Sequence, residues 1–68
     1  MFTVTADNET LFTERHLPTA VFRALAESDE RDSDVLLSGE CAGLVLRGVY
    51  RRGARVEFEC RDVDGAAT

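Results

Sequence analysis

Apolar and polar positions alternate at the start of the chain, a pattern typical of a β-strand. Apolar side chains occupy every second position of Phe2–Ala6, and β-branched threonines stand between them. The next residues, Asp7-Asn8-Glu9, are turn material, since Asn and Asp tolerate a left-handed backbone. Thr10–Thr13 is then predicted to return as a second strand. The chain therefore opens with a predicted β-hairpin.

A helical pattern follows the hairpin. Leu17, Val21 and Leu25 recur at i, i+4 and i+8, so they form an apolar stripe on one face of an α-helix, and Phe22 would widen it. Pro18 fits the first helical turn, where its missing N–H costs nothing. Acidic side chains at the C-terminus of a helix oppose its macrodipole. The helix is therefore predicted to end near residue 28, although residues 29–32 could extend it.

Three further strands are predicted after the helix. Val35–Ser38 forms the first of them and is closed by Gly39, and Leu44–Arg51 with Ala54–Val63 forms the last hairpin. Strands on both sides of one helix predict an antiparallel sheet with the helix across one face. The predicted fold is therefore α+β, a small antiparallel β-sheet with one α-helix packed on one face, in the order β-β-α-β-β-β.

The register of the last hairpin depends on the length of its turn. A two-residue turn would pair Arg51 with Ala54, whereas a three-residue turn would pair Tyr50 with Ala54. Because a one-residue slip moves every side chain to the other face, the hydrophobic pattern decides. It favours the three-residue turn, with Gly53 left-handed in a bulge. Gly48 is predicted to mark a second bulge or a close approach of the helix.

That register divides the hairpin into an apolar and a charged face. Arg47 would lie directly across from Glu57. The apolar face would hold Leu44, Leu46, Tyr50, Ala54, Val56, Phe58 and Cys60, and the charged face Arg47, Arg55, Glu57, Glu59 and Arg61. Arginine neighbours keep carboxylates ionised, whereas a general acid needs the opposite. A solvated ion-pair face is therefore predicted there.

The length of the chain limits what it can enclose. The 68 residues predict a single domain over residues 1–63 and a flexible polar tail over residues 64–68. A domain of this size buries only about 60% of its unfolded surface, so a deep pocket of roughly 300 Å³ or more is not expected. Function is expected on the outer surface.

Catalytic and metal-binding inventories are sparse. His16, Cys41 and Cys60 are scattered singly, without the spacing of a zinc site or of a nucleophile with its base. We expect two free thiols, with Cys60 buried among core residues. No apolar stretch approaches a membrane span and no signal peptide is visible. The sequence therefore predicts a cytoplasmic protein that is not an enzyme, with no cofactor and no metal.

Charge is distributed unevenly along the chain. All eight basic residues are arginine and the net charge is −5. Residues 1–46 carry nine acids and three arginines, net −6, whereas residues 47–68 carry four acids and five arginines, net +1. Proteins that bind nucleic acid directly need a basic footprint. A basic protein partner is therefore expected instead, with the chain itself most simply a monomer.

One stretch, residues 27–34, concentrates this charge. It holds five acids and one arginine, Arg31, net −4. It is either a solvated connector after the helix or a docking surface for an Arg- and Lys-rich partner. The residues predicted to bind that partner are Glu27, Asp29, Glu30, Asp32 and Asp34, joined on one face by Asp7, Glu9, Glu14 and Glu40.

The overall profile resembles that of small phage-encoded acidic inhibitors, above all DNA-mimic anti-CRISPR proteins. The shared features are a very short single domain, an acidic surface and no catalytic inventory. The resemblance implies a protein that occupies the basic DNA-binding groove of a Cas effector in the host cytoplasm. The nine carboxylates would stand in for phosphates, and Arg31 interrupts their run.

Two other interpretations remain open. The chain could be a structural or assembly component of a phage or a multisubunit complex, using an exposed edge at Phe2–Ala6 or the outward Val45 and Val49. It could also be an ordinary small domain of a halophile, whose acidity serves general solvation. Concentration-dependent association would favour the first of these, and unfolding at low salt the second.

Overall fold

The computed structural model describes residues 1–62 and contains one helix and one sheet. Its elements are β1 (Phe2–Ala6), β2 (Glu9–Glu14), α1 (Leu17–Glu30), β3 (Val35–Cys41), β4 (Leu44–Arg51) and β5 (Ala54–Asp62). The predicted α+β class, with the order β-β-α-β-β-β and the helix on one face of an antiparallel sheet, is confirmed. Val63 and the predicted tail over residues 64–68 lie outside the described residues.

The strands lie in the order β2-β1-β3-β4-β5, and every neighbouring pair is antiparallel. The expectation that Phe2–Ala6 forms an exposed edge is wrong. The hairpin partner β2 covers one side of β1, and α1 carries the chain across the sheet so that β3 pairs with the other side. The edges among residues 1–62 are therefore β2 and β5.

Small helical side chains form the contact between the helix and the sheet. The buried row of α1 is Ala20, Ala24 and Ser28, spaced at i, i+4 and i+8, and it lets the helix lie close to the strands. The predicted stripe of leucine and valine flanks this row and is half-buried. Phe22, which was predicted to widen the stripe, is instead 74% exposed on the outer face of the helix.

The core lies between this row and the strands β1, β3 and β4. Fully buried sheet residues on the helix side are Phe2, Val4, Val35, Leu37 and Tyr50. The helix contacts β3 and β4 more extensively than β5. The sheet is therefore covered over its centre, and the helix side of β5 stays open.

Ser28 extends the helix beyond its predicted end. Its side chain is buried, and its hydroxyl donates a hydrogen bond to the Leu25 carbonyl at 2.8 Å and accepts one from the Gly53 N–H at 3.0 Å. The helix continues to Glu30, and the Arg31 N–H closes it on the Glu27 carbonyl. The helix therefore ends two residues beyond Ser28, within the extension over residues 29–32 that the sequence left open.

All three hairpins close with two-residue turns whose residues both have positive φ. The pairs are Asp7-Asn8 (54° and 63°), Ala42-Gly43 (52° and 81°) and Arg52-Gly53 (51° and 76°). This is the type I′ geometry, whose twist matches that of antiparallel strands. The second strand, β2, therefore begins at Glu9, one residue earlier than predicted, and β3 continues to Cys41.

The predicted three-residue turn of the last hairpin is wrong. Arg51 pairs with Ala54, as a two-residue turn requires, and the register then shifts between Val49 and Tyr50, which leaves Val56 without a partner. Beyond this bulge Phe58 and Cys60 lie on the predicted apolar face, whereas Ala54, which was predicted there, pairs with Arg51 on the opposite face. The predicted pairing of Arg47 with Glu57 is replaced by Arg47 with Glu59.

Gly39 continues its strand, although it was predicted to close it. A Cβ at Gly39 would lie 2.5 Å from Phe2 Cδ1 and 2.6 Å from the Met1 carbonyl oxygen. Glycine is therefore required there so that the buried Phe2 ring can pack across the strand.

Gly48 pairs regularly with Leu37 and Phe58, so it does not mark a bulge as predicted, and the atoms nearest to it are those of aromatic rings and not of the helix. A Cβ there would lie 3.0 Å from Tyr50 Cε2 and 3.3 Å from Phe58 Cδ1. The Tyr50 ring is fully buried, and its hydroxyl has no hydrogen-bond partner within residues 1–62. Desolvation by burial raises the pKa of Tyr50.

Replacing Ala42 by asparagine should stabilise the domain. Ala42 carries a φ of 52° in an exposed turn before Gly43, and Asn-Gly is the preferred type I′ pair. We expect Ala42→Asn to raise the free energy of unfolding in urea by about 0.5–1 kcal/mol, and Ala42→Val to lower it. A stabilising Ala42→Val would show that the turn does not hold this backbone.

The Ser28 link can be tested by removing the hydroxyl. Ser28→Ala removes the part-buried hydrogen bond between the helix and the Gly53 N–H, so we expect a loss of about 0.5–1.5 kcal/mol in the free energy of unfolding. Ser33→Ala is the control, because the Ser33 hydroxyl makes an exposed bond to Asp7. Equal effects of the two substitutions would contradict a special role for Ser28.

Candidate functional site

Three connecting segments converge at one end of the sheet. Ala6 pairs with Val35, and Val35 with Tyr50, so the β1–β2 turn, the α1–β3 loop and the β4–β5 turn meet there. The Ser28–Gly53 hydrogen bond fixes the C-terminus of the helix at the same end. Seven of the nine predicted acids lie on these connecting segments or at the ends of β2 and α1 that adjoin them: Asp7, Glu9, Glu27, Asp29, Glu30, Asp32 and Asp34. We call these seven residues the acidic end.

The other two predicted acids lie at the opposite end of the sheet. Glu14 pairs with Phe2 at the start of β1, and its carboxylate lies 3.6 Å from Arg23. Glu40 is exposed near the end of β3, where its carbonyl lies 3.5 Å from the N-terminal amine. The structure therefore does not bring all nine acids together on one face as predicted.

Asp34 forms a bidentate ion pair with Arg51. The Nε and Nη2 atoms of Arg51 donate hydrogen bonds to its two carboxylate oxygens at 2.7 and 2.9 Å. These bonds lower the pKa of Asp34 and raise the pKa of Arg51. Exposed pairs stabilise a fold little. The pair instead fixes where the loop enters β3, and it removes Asp34 from the free charge of the acidic end.

Arg31 forms ion pairs with two further carboxylates. Its guanidinium lies 3.8 Å from Asp7 and 3.6 Å from Glu27, one turn earlier in the helix. The Ser33 hydroxyl donates a hydrogen bond to the same Asp7 carboxylate at 3.0 Å. The arginine that interrupts the acidic run in sequence therefore ties the β1–β2 turn to the end of the helix.

Four carboxylates of the acidic end carry charge that no neighbour matches. Within residues 1–62 no ion pair involves them, and all are exposed: Glu9, Asp29, Glu30 and Asp32. Arg52 in the β4–β5 turn also makes no ion pair among the described residues. The acidic end carries seven carboxylates, and the guanidiniums of Arg31, Arg51 and Arg52 add three positive charges there. The net charge at this end is therefore −4.

The far face of the sheet carries paired charges. Glu59 pairs with Arg47 across the strands, and its carboxylate lies 3.4 Å from Arg61. Arg55, predicted on this face, instead lies 4.9 Å over the Phe58 ring, because the bulge at Val56 turns it to the helix side. The ion-pair face is therefore present without Arg55.

The two valines predicted to point outward differ in exposure. Val45 is exposed, whereas Val49 is buried with Leu36 and Glu57 as its cross-strand neighbours. Only Val45 could therefore contact a partner directly.

The thiols and the histidine do not form a reactive cluster. Cys41 and Cys60 are free and exposed, so the prediction of a buried Cys60 is wrong; the helix does not reach far enough over β5 to cover it. Strand β4 lies between them, so the strand spacing alone separates them by at least about 9.5 Å, too far for a disulfide. His16 is exposed at the start of the helix, without a side-chain capping bond.

Residues 1–62 contain neither a cluster of metal ligands nor a helix that could span a membrane. That part of the chain contains no group of three or more His, Cys, Asp or Glu side chains placed to hold a metal ion. Its single helix is too short and too polar to cross a membrane.

The hydrophobic pattern of the sequence did not predict that the Phe22 ring is exposed on the helix. Phe22 separates two open depressions of about 330 and 350 Å³ on the surface. One is bordered by Glu27 and Arg31 and the other by Asp29 and Arg52. The alanine row on the opposite side of the helix was the available signal, because it places Phe22 about 160° away from Ala24.

Comparisons with known protein families, with curated proteins and with solved structures gave no match. The site is therefore interpreted from its own geometry.

The Asp34–Arg51 pair makes a prediction about pH. Arg51→Gln should raise the pKa of Asp34 toward its ordinary value, as measured by NMR titration of the carboxylate. Because the folded pKa is the lower one, the pair stabilises the domain above the unfolded pKa, and this contribution is lost as the pH falls through the folded pKa. Arg52→Gln is the control, and an equal shift in both variants would contradict the assignment.

Proposed function

We propose that this chain is a non-enzymatic binding protein whose acidic end covers a basic surface of a partner protein, of the kind that holds nucleic acid. The observation that carries the proposal is the convergence of three separate segments into one end of net charge −4, with four exposed carboxylates outside any ion pair. Such a surface attracts a basic partner and repels nucleic acid itself.

The size of this charge limits what the acidic end can imitate. The molecule measures 36 × 21 × 21 Å. A DNA duplex as long as its 21 Å width carries about twelve charges, at one per ~1.7 Å. The net charge of the acidic end is about a third of that. The proposed mode of action is therefore to cover a small basic patch, in competition with nucleic acid, and not to fill a long groove.

The resemblance to acidic phage inhibitors gives this proposal its first partner to test. A Cas effector subunit holds DNA in a positively charged channel. In that case the protein would act in the cytoplasm of the host, without a cofactor. A salt-dependent affinity is expected, because exposed charges are screened beyond about 8–10 Å at physiological ionic strength.

Reversing unpaired charges tests the proposal. Glu30→Arg with Asp32→Arg changes the acidic end by four charges without breaking an ion pair. We expect this variant to lose at least about tenfold in affinity, since like-charge contacts across an interface cost several kcal/mol. Wild-type protein and the variant are immobilised and exposed to host lysate, and the captured proteins are identified by mass spectrometry.

Glu40→Arg with Glu57→Arg is the matched control. It makes the same change in net charge at exposed residues that form no ion pair within residues 1–62. Basic nucleic-acid-binding proteins should be retained by wild type and control and lost by Glu30→Arg/Asp32→Arg. Identical capture by all three proteins would refute a role for the acidic end.

A second candidate function is a structural or assembly component. The observation that favours it is the edge strand β5, which presents Val56 and Phe58 at 50% and 39% exposure.

A further inference from the structure

Strand β5 is a long, open sheet edge. It has nine residues, all exposed except Asp62, and no strand within residues 1–62 pairs with its outer side. Natural edge strands avoid association by being short, bulged or charged. The other edge, β2, has six residues, a bulge and a glutamate at each end. On β5 the single bulge lies at Val56, which leaves Glu57–Asp62 regular and unpaired on its outer side.

The helix side of this edge is apolar. Phe58 pairs with Gly48 and Cys60 with Leu46, so both face the same side of the sheet as the core. Leu44 on β4 and Phe58 are 38% and 39% exposed there, because α1 lies over the centre of the sheet. The edge therefore combines free backbone hydrogen-bonding groups with uncovered apolar side chains.

Charge near this edge is balanced, in contrast to the rest of the molecule. The carboxylates of Glu57, Glu59 and Asp62 are matched in number by the guanidiniums of Arg47, Arg55 and Arg61. The acidic end lies beside Ala54, at the other end of the strand. A second copy can therefore approach Glu57–Asp62 without meeting the excess negative charge.

We propose that β5 pairs antiparallel with β5 of a second copy, centred on Cys60, to give a continuous ten-stranded sheet. Residues directly opposite each other in an antiparallel pair point to the same face of the sheet. If the two copies are symmetric and both helices lie on the same face, one residue must therefore lie opposite its own copy at the centre of the pair. The side-chain charges then choose among the possible centres. This inference is independent of the proposed function.

Among centres on a residue of Glu57–Asp62, only Cys60 avoids placing like charges directly opposite each other. Centring on Phe58 places Glu57 opposite Glu59 twice, and centring on Glu59 places that carboxylate opposite its own copy. Centring on Cys60 places Glu59 opposite Arg61 at both symmetric positions. Opposite charges across strands stabilise a sheet, whereas like charges destabilise it. Charge complementarity therefore selects the Cys60-centred register.

The same register gives Phe58 a partner. It lies opposite Asp62 of the second copy, and the Arg55 guanidinium already stands over the Phe58 ring at 4.9 Å. That cation offers the incoming carboxylate a counter-ion. The paired segment is short, so the interface belongs to the small, transient class below about 1,200 Å². Association should accordingly depend on protein concentration.

Sedimentation velocity on the reduced full chain tests the association. Wild-type protein should show a concentration-dependent monomer–dimer equilibrium. Glu59→Arg should weaken the dimer at least about tenfold, because it places arginine opposite Arg61. Glu59→Arg with Arg61→Glu should restore dimerisation. A monomer at all concentrations up to about 1 mM would overturn the proposal.

Two controls separate this register from the alternatives. Glu57→Arg makes the same charge change on the same face of β5, yet Glu57 faces no described residue in the Cys60-centred pair, so the dimer should persist. The Glu59-centred pair would instead place Glu57 opposite Arg61. Weakening by Glu57→Arg with no effect of Glu59→Arg would therefore overturn the register. Urea unfolding of each variant confirms that the monomer is folded.

Crosslinking gives an independent measure of the register. Directly opposed residues of an antiparallel pair have Cα atoms about 4.5–5.5 Å apart, within disulfide range. In a Cys41→Ser background, the thiol oxidant diamide should therefore give a covalent dimer through Cys60. The same chain with Cys60→Ser and Glu59→Cys should crosslink poorly. Efficient crosslinking of the latter alone would contradict the Cys60-centred pair.

Discussion

The buried hydroxyl of Ser28 connects the helix to the far hairpin, and the position of the acidic end depends on it. The Ser28 hydroxyl donates a hydrogen bond to the Leu25 carbonyl in the preceding turn of the helix and accepts one from the Gly53 N–H in the β4–β5 turn. This contact holds the C-terminus of the helix, together with the acidic residues that follow it, beside the β4–β5 turn and its neighbouring arginines.

Arginines divide the carboxylates of the acidic end into two groups. Arg31 and Arg51 bind Asp7, Glu27 and Asp34, and these pairs join segments that are distant in sequence. The remaining carboxylates, on β2 and around the helix C-terminus, have no ion-pair partner in the part of the chain that the structure describes. The paired acids thus shape the surface, and the unpaired ones give it its charge. A partner would meet a preformed arrangement, because the connecting segments are already fixed to one another.

Local patterns predicted the elements of this fold well, whereas long-range packing set the details. Alternation and turn residues sufficed for the strands and for the left-handed Gly53. They could not place β1 in the interior, because that position depends on which side of the hairpin β3 reaches after the helix. Nor could they show that Ala20, Ala24 and Ser28 form the buried row. The acidic run was visible in sequence, but its ion pairs depend on arginines up to 24 residues away, as for Asp7 and Arg31.

The uneven charge also bears on why the chain is acidic. Acidity that serves only general solvation has no reason to leave one edge of the sheet balanced. Here β4 and β5 carry matched carboxylates and guanidiniums along Glu57–Asp62, while the opposite end of the same strands adjoins the net −4 surface. In a molecule of net charge −5, the excess negative charge is thereby concentrated at the acidic end, and the edge strand does not repel a second copy of the chain. Self-association and binding of a basic partner would then use different ends of β5, so that one need not block the other.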